Sequence, residues 1–569
     1  MSGKRVATSF LAAAMAVGTL SSAAFAENGT VDPADLNWEK PEETINISVY
    51  AGEGDQEEFL ADENGGKAVM DEWLLENLNV TFDWQYMTGD MTERLNLMLA
   101  DNSYPSVITN MPDDMAEKFI AQGKAVDLTE YLDDMPNLTR RMGDYINMLK
   151  DDEGHIYKLS TLWGENPNVA GLDFGVRWDY YLELGEEKMY ETPQEYIEVM
   201  KKILANHPTN DAGQTTYAFT SDNQGKSFLN AMLGAYGFIN GYKLNEDTGE
   251  FTHWLNTDEG LEIAKLVNQM YREGLIDPDY QSVDYETYIS KLANGQVLGN
   301  FGTWWYAWVG GHQTWAVQEG DDYDKNKRFA NVSVHGEGMS MEDTSLLTSN
   351  YVGSYRMIIT DKATEEEIQG IVKYLNWEAS ELGTFIMGFG APREENVWKI
   401  DDDGTWLFDD EIMNVDTKDT TYHTVKNHYA CEYWVAICGQ WLKSDGRSVF
   451  DKIDPRVDRV SIYDYWPVNE DGSFADEGIN ICWGNYTAPA KDTTMYQTTF
   501  NSRDTIATIK QMVDDTITSS WAEIINSASE EDCIAAFEAA RDNCNAMGLE
   551  ELTDYYENSY KANVEKYEG

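Results

Sequence analysis

The pattern that most constrains this chain is a strand, helix, strand unit near its beginning. Ile45, Ile47 and Val49 alternate with neighbours of different character, as do Val80, Phe82, Trp84 and Tyr86, and the segment 66–78 between them is amphipathic. Such a unit buries its apolar faces by building into an α/β layer. Helix and strand patterns keep alternating through 91–160, and a second series starts near Gly175, so the reading is two α/β lobes.

The second series is clearest between Thr257 and Tyr306. Ile263, Leu266, Val267, Met270 and Tyr271 recur at helical spacing, with Thr257 as N-cap, Asp258 and Glu259 in the first turn, and Gly274 placed to stop the helix. Leu275-Ile276-Asp277-Pro278 leads away from it. A second helix fits Tyr285, Tyr288, Ile289 and Leu292, capped by Asp284 and ended by Gly295. The run Gln296 to Trp305 then reads as a buried strand that delivers Trp304, Trp305 and Tyr306 to a surface.

At the start of the chain, Lys4-Arg5, an apolar run from Val6 to Leu20 and Ala24-Phe25-Ala26 make a secretory signal peptide, with cleavage before Glu27. The run is interrupted by Thr8, Ser9, Gly18 and Thr19 and is too short to span a membrane comfortably. The remaining 543 residues, of a chain of 569, exceed one ordinary core. With Lys4 and Arg5 removed, 39 basic residues face 101 acidic ones, a formal charge of −62. That field argues against nucleic acid, anionic lipid and anionic ligands, and favours neutral or cationic ones.

Five Cys in so long a chain are no disulfide scaffold. Cys533 and Cys544 fall on one face of a helix capped by Ser529, about 16 Å apart along its axis, too far to pair. Cys431 and Cys438 could pair only in a compact non-helical loop, and the reading is mostly reduced, buried cysteines.

Several ordered segments share one likeness. Tyr271-Arg-Glu-Gly-Leu-Ile-Asp-Pro278 precedes the Lys291-Leu-Ala-Asn-Gly-Gln296 helix end and the Gly-rich strand closing in tandem Trp. Upstream stand Leu95 to Ile108, Gly123 to Leu132 with Pro136-Asn137-Leu138, the hairpin Asp152 to Tyr157, Arg177 to Gly185, and Thr192-Pro193. This order resembles the family 1 extracellular solute-binding proteins of carbohydrate ABC importers, over most of 45–390 and again over 505–565.

The resemblance implies a bilobal, periplasmic-binding-protein-like α/β fold whose lobes are joined by a multi-crossing hinge. It divides the chain into a signal peptide at 1–26, a flexible lead-in at 27–44, an N-terminal lobe of 45–160 plus 352–390, and a C-terminal lobe of 161–351 plus 391–569. Within the latter, 391–500 is an elaboration. Implied partners are a neutral carbohydrate, an oligosaccharide, and the permease subunits of an ABC transporter, with the protein acting as a monomer without cofactor. Many Gram-positive members carry a lipid-anchored Cys, whereas this chain has none before Cys431. A periplasmic or cell-surface location without that anchor is expected.

Sugars offer axial C–H groups to aromatic faces and hydroxyls to planar polar groups, and buried hydroxyls left unpaired weaken binding. The 18 Trp are therefore candidates, although part of them must be core. Strand alternation would send one of Trp304 and Trp305 toward a cleft. Trp163 lies just beyond the first implied crossing, and Arg177, Trp178 and Asp179 stand at the start of the second lobe. Ligands of open α/β sheets bind at loops after strands, which nominates Glu53 and Asp55, Asn110 and Met111, and Asp222, Asn223 and Gln224. Glu432 and Trp434 form a further aromatic–acid cluster.

Catalytic and metal signatures fail on inspection. Gly225-Lys226-Ser227 imitates a phosphate loop, but Thr220 occupies its first glycine position, and Gly388-Phe389-Gly390 lacks a third glycine. Counting back from Gly404 or Gly472 puts Lys399 or Pro467 at the first position of a calcium loop, so Asp403-Gly404 and Asp471-Gly472 read as hairpin turns. No catalytic residue is nominated. The alternatives left open are a secreted glycoside hydrolase or lyase, whose carboxylate pair is defined in space and not in sequence, and a surface protein that binds peptide or protein partners.

Overall fold

The computed structural model describes residues 38–51, 66–86, 90–151, 153–161, 172–185, 188–302, 304–319, 323–324, 326–353, 355–389, 398–400, 406–408, 489, 491–500 and 504–568. The strand, helix, strand unit forms as read: Ile45–Ala51 and Val80–Tyr86 pair in parallel, with the helix Gly66–Leu78 between them in sequence. The sheet has five strands, in the order Val80–Tyr86, Ile45–Ala51, Val107–Pro112, Tyr355–Ile359, Leu159–Ser160. Its first three are parallel, and Tyr355–Ile359 runs antiparallel to both its neighbours.

Central strands of such a sheet are apolar on both faces because helices cover both. On one face Ile47, Val49, Val107, Met357 and Ile359 pack with Leu74, Leu138, Ile371 and Leu375; on the other Tyr50, Ile108, Met111 and Ile358 pack with Leu95, Met98, Met115 and Phe119. Residues 38–44 depart from the expected flexible lead-in, because Trp38 finds both an apolar partner and an acceptor. Its Nε1–H donates to the Leu78 carbonyl at 3.0 Å and its ring meets Trp377 edge-on at 6.4 Å.

A second core gathers residues from 174 to 347 with residues from 506 to 552. Its sheet is Gly299–Gly302, Asp173–Arg177, Phe329–Ala330, widened by the parallel bridges Tyr217 to Val297 and Phe219 to Ile276. Phe174, Phe219 and Phe228 all surround Phe301, with ring centroids 4.8 to 5.4 Å away. Thr257 caps the helix Asp258–Arg272 by accepting from Gly260 N–H at 3.0 Å, Gly274 ends it at φ +73°, and Asp284 caps Tyr285–Ala293 through Thr287 N–H. Ser529 likewise caps Glu530–Ala546, where Cys533 and Cys544 are free and buried. Burial raises both thiol pKa values to about 11.

The long helix Thr505–Asn526 is tied in by polar contacts as well as packing. The buried Asn268 donates to the Ile524, Ile525 and Ser527 carbonyls, and Trp521 Nε1–H donates to the Gly225 carbonyl at 3.0 Å. The last helix, Leu549–Glu568, packs on this core at Leu549 and Leu552 and reaches the other lobe at its end. There Tyr145 stacks on Tyr351 and touches Tyr567, both at 4.9 Å, while its hydroxyl donates to Asp492 at 2.8 Å. In the 391–500 region, Trp398–Ile400 pairs antiparallel with Trp406–Phe408, while Asp403-Gly404 and Asp471-Gly472 lie outside the described residues.

Candidate functional site

The strand directions place the site. In the five-stranded sheet Tyr355 lies opposite Pro112 and Arg356 opposite Ser160, so the carboxyl end of Val107–Pro112 sits near where the chain passes between the two cores, between 159 and 174 and again between 347 and 352. The strands ending at Ala51 and Tyr86 run the same way and finish at the same edge. In the other sheet Gly302 lies opposite Asp173, just after the chain arrives, and the 217–219 segment runs parallel to 297–302. Thr220–Gly225 and Trp304–Tyr306 therefore share one edge. Carboxyl ends of strands beside such passages are where open α/β sheets receive ligands.

At the second edge Asp222 and Tyr306 meet, with the Tyr306 hydroxyl donating to Asp222 Oδ2 at 2.7 Å. Burial, then the bonded carboxylate, push the Tyr306 hydroxyl above its ordinary pKa. Tyr285 and Tyr288 pack edge-to-face against Tyr306 at 5.1 and 5.2 Å, Tyr288 fully buried and Tyr285 41% exposed. The loop carrying Asp222 is held under strain: Asn223, Gln224 and Gly225 have φ of +50°, +60° and +87° in succession. Left-handed non-glycine residues cost energy and persist only where surroundings over-determine them. Here those surroundings are the Trp521 bond to Gly225 and the Ser221–Ser227 hydroxyl contact.

Below this edge, Asp277 is 1% exposed and paired with Lys291 Nζ at 2.5 Å, and it accepts from Thr220 Oγ1 at 3.1 Å. At the first edge Asp113 accepts from Lys158 at 2.7 Å and from Arg356 Nε at 2.6 Å. Burial alone would raise its carboxyl pKa, but Arg356 and Lys158 hold it below the usual carboxylate range. Arg356 Nη1 also donates to the Val352, Gly353 and Tyr355 carbonyls, which fixes the returning chain to this edge.

Of the residues read from sequence, Asp222, Asn223 and Gln224 stand at the second edge, next to the tandem-Trp segment. Trp304 and Trp305 are not in a strand: Gly299–Gly302 ends first, and both open the helix Trp304–Ala307. The strand alternation expected of them therefore does not apply. Asn110 lies at the first edge, 8% exposed and left-handed at φ +51°. Met111 is 0% exposed and packs in the core.

Arg177, Trp178 and Asp179 lie away from the edge, because Asp173–Arg177 runs from it and four residues of strand cover about 13 Å. Trp178 is 2% exposed and stacked on Tyr181 at 5.6 Å. Arg177 is used by Asp179 in a two-point ion pair, 2.9 and 2.6 Å, between the Tyr180 and Trp315 rings. The structure thus engages Arg177 and Asp179 with each other and Trp178 with Tyr181. Glu53, Asp55, Trp163, Glu432 and Trp434 lie outside the described residues.

Tyr285 and Tyr306, which also stand at the second edge, are not among the candidates read from sequence, although Tyr306 is read there as delivered to a surface with the tandem Trp. Tyr285 was counted in a core stripe, but its first-turn position puts it beyond the buried Tyr288 and Leu292. Among the described residues no group of three or more His, Cys, Asp or Glu is placed to hold a metal ion, and no helix is long and apolar enough to cross a membrane.

No protein-family model matches the chain. Over 246 residues it is 24% identical to the fructooligosaccharide ABC transporter substrate-binding protein FusA of Streptococcus pneumoniae; the match spans 41% of this chain and 45% of that relative. The structure of FusA in complex with kestose superposes with a TM-score of 0.60 at 17% identity, covering 91% of this chain and 99% of that one. An HMO-binding, ABC-transporter-associated solute-binding protein from Bifidobacterium longum infantis gives 0.59 at 16%, covering 91% and 99%. The chain has the bilobal α/β fold of periplasmic solute-binding proteins.

Proposed function

We propose that this protein is an extracytoplasmic carbohydrate-binding protein that captures an oligosaccharide between its two lobes and delivers it to the permease subunits of an ABC importer. The reading is supported above all by the FusA match, whose named ligand class is a fructooligosaccharide. The site geometry agrees with it: aromatic rings and an acid–amide loop meet at a sheet edge beside the lobe crossings, which suits a neutral polyhydroxylated ligand.

In this reading the lobes are 45–160 with 352–390 and 161–351 with 391–569, the protein is exported by its first 26 residues, and it breaks no bond. Ligand stabilises the closed form, and the permease reads the closed surface. Asp222, Asn223, Gln224, Asn110 and the Trp304-Trp305 segment contribute to the site, and Glu53, Asp55, Trp163, Glu432 and Trp434 remain candidates for it.

The test is thermal unfolding of residues 27–569 with neutral mono- and oligosaccharides, kestose among them, and a chromatographic check of each sugar for cleavage. A ligand at 100 times its dissociation constant adds about 2.7 kcal/mol, so binding raises the melting temperature selectively. Cleaved sugar would make the protein a glycosidase or lyase, and no shift with any sugar would overturn the carbohydrate reading.

A further inference from the structure

We infer that Tyr285, Tyr306 and the Asp222–Gln224 loop form one subsite for a single sugar ring, in which the exposed Tyr285 ring is the stacking face and Asp222 the hydroxyl acceptor. This rests on the carbohydrate reading above and deepens it.

Three independent features meet here. Tyr285 opens the helix Tyr285–Ala293 with 41% of its surface exposed, while Tyr288 and Leu292 of the same helix are fully buried. A large aromatic residue kept in solvent at a sheet edge is not serving the core. Its neighbour Tyr306 is half-buried and has a second task, since its hydroxyl donates to Asp222 Oδ2. One donor occupies one of about four lone-pair directions of a carboxylate, so Asp222 keeps acceptor capacity while its side chain is held in one orientation.

The third feature is the loop. Asp222 is half-buried with an extended backbone, and Asn223 and Gln224 are exposed and left-handed, shortly after the 217–219 segment. The two amide side chains supply both donors and acceptors, and the carboxylate accepts at close range. A sugar ring lying on Tyr285 would meet hydroxyl partners along one side and an aromatic face beneath, the two needs of a pyranose or furanose ring. Tyr306 acts as a positioning residue, aiming Asp222 and propping Tyr285, with no need to touch the ligand.

The experiment is calorimetric titration with kestose first, and otherwise with the panel sugar that most raises the wild-type melting temperature. Tyr285→Ala is expected to weaken binding about ten-fold, and Tyr285→Phe to stay within about two-fold of wild type. Tyr285→Phe should leave the melting temperature without sugar unchanged, and Tyr285→Ala should lower it only slightly, through the lost edge-to-face contact with Tyr306. Asp222→Ala should weaken binding at least as much as Tyr285→Ala. Tyr306→Phe should weaken it a few-fold alone and add nothing in the Asp222→Ala background, the non-additivity of residues that act through one another.

Tyr285→Ala binding like wild type would overturn the subsite while leaving the carbohydrate reading intact. So would Tyr285→Phe losing as much as Tyr285→Ala, since that assigns the effect to the hydroxyl. A wild-type protein that binds no sugar would overturn both.

Discussion

Lowering the pH from 7.5 to 5.0 is expected to cost about 2 kcal/mol of stability through one side chain, His253. The imidazole is 6% exposed, and burial lowers its pKa from 6.5 to about 3. Its Nδ1 accepts the Leu255 N–H at 3.3 Å, and the Tyr242 ring stands edge-on at 5.0 Å. A proton on Nδ1 would set donor against donor in a site that water does not reach.

Between pH 3 and 6.5 the unfolded chain therefore binds a proton that the folded chain does not, so stability rises with pH across that window and is lost as pH falls through 6.5. At pH 5.0 the unfolded state gains RT ln(1 + 10^1.5), about 2 kcal/mol, and at pH 7.5 almost nothing. The result hardly depends on the folded value as long as that value stays well below 5. Carboxylates held below their usual range, such as Asp113, Glu259 and Asp361, lose their contribution only at lower pH. His155, raised by its bond to Asp127, acts with the opposite sign and is present at low pH.

The assay is urea unfolding at pH 7.5, 6.0 and 5.0, following the transition of the core that holds His253, for wild type and His253→Asn. The Asn amide oxygen keeps an acceptor for Leu255 N–H but does not titrate. Over this range wild type should lose about 2 kcal/mol more than the variant, which keeps His155 and every other titrating group. A variant with the wild-type pH dependence would refute the assignment.

Other substitutions probe packing. Trp521→Phe removes the donor to the Gly225 carbonyl and part of a ring that is 1% exposed, and should cost about 2–3 kcal/mol in urea unfolding; an unshifted midpoint would mean that the contact is not formed. Gly260→Ala should cost at least about 2 kcal/mol, because a Cβ there would sit 2.0 Å from the Trp254 carbonyl oxygen. Gly274→Ala, at φ +73° with open space around it, should cost only about 1 kcal/mol of backbone strain, and the reverse order in denaturant midpoints would contradict both accounts.

How far the sequence could be read depended on the range of the interactions involved. Caps and stops are local: Thr257, Gly274, Asp284, Gly295 and Ser529 act within a few residues of themselves, and all take the expected helix-end positions. Strand, helix, strand patterning is nearly as local and led directly to the five-stranded sheet. Burial of a given aromatic is not local. Trp178 and Trp304 are both Trp beside a strand end, yet one lies at the end facing away from the lobe passage, a distinction made only by the pairing of Asp173 with Gly302. Tyr285 shows the converse, a residue in register with a core stripe but one turn beyond the core it would join.

The Tyr145 contacts have a mechanical consequence. The ring is gripped by segments from three distant parts of the chain, at Tyr351, Asp492 and Tyr567, on the one stretch of the first lobe that also accepts the end of the last helix through Asn147 and the Tyr567 carbonyl. Sliding one core past the other would break these contacts together, whereas a rotation about a line through them would leave each nearly unchanged. Tyr145 thus clamps the first lobe to the end of the last helix and to Asp492, so any relative displacement of the two cores has to be accommodated around this one ring.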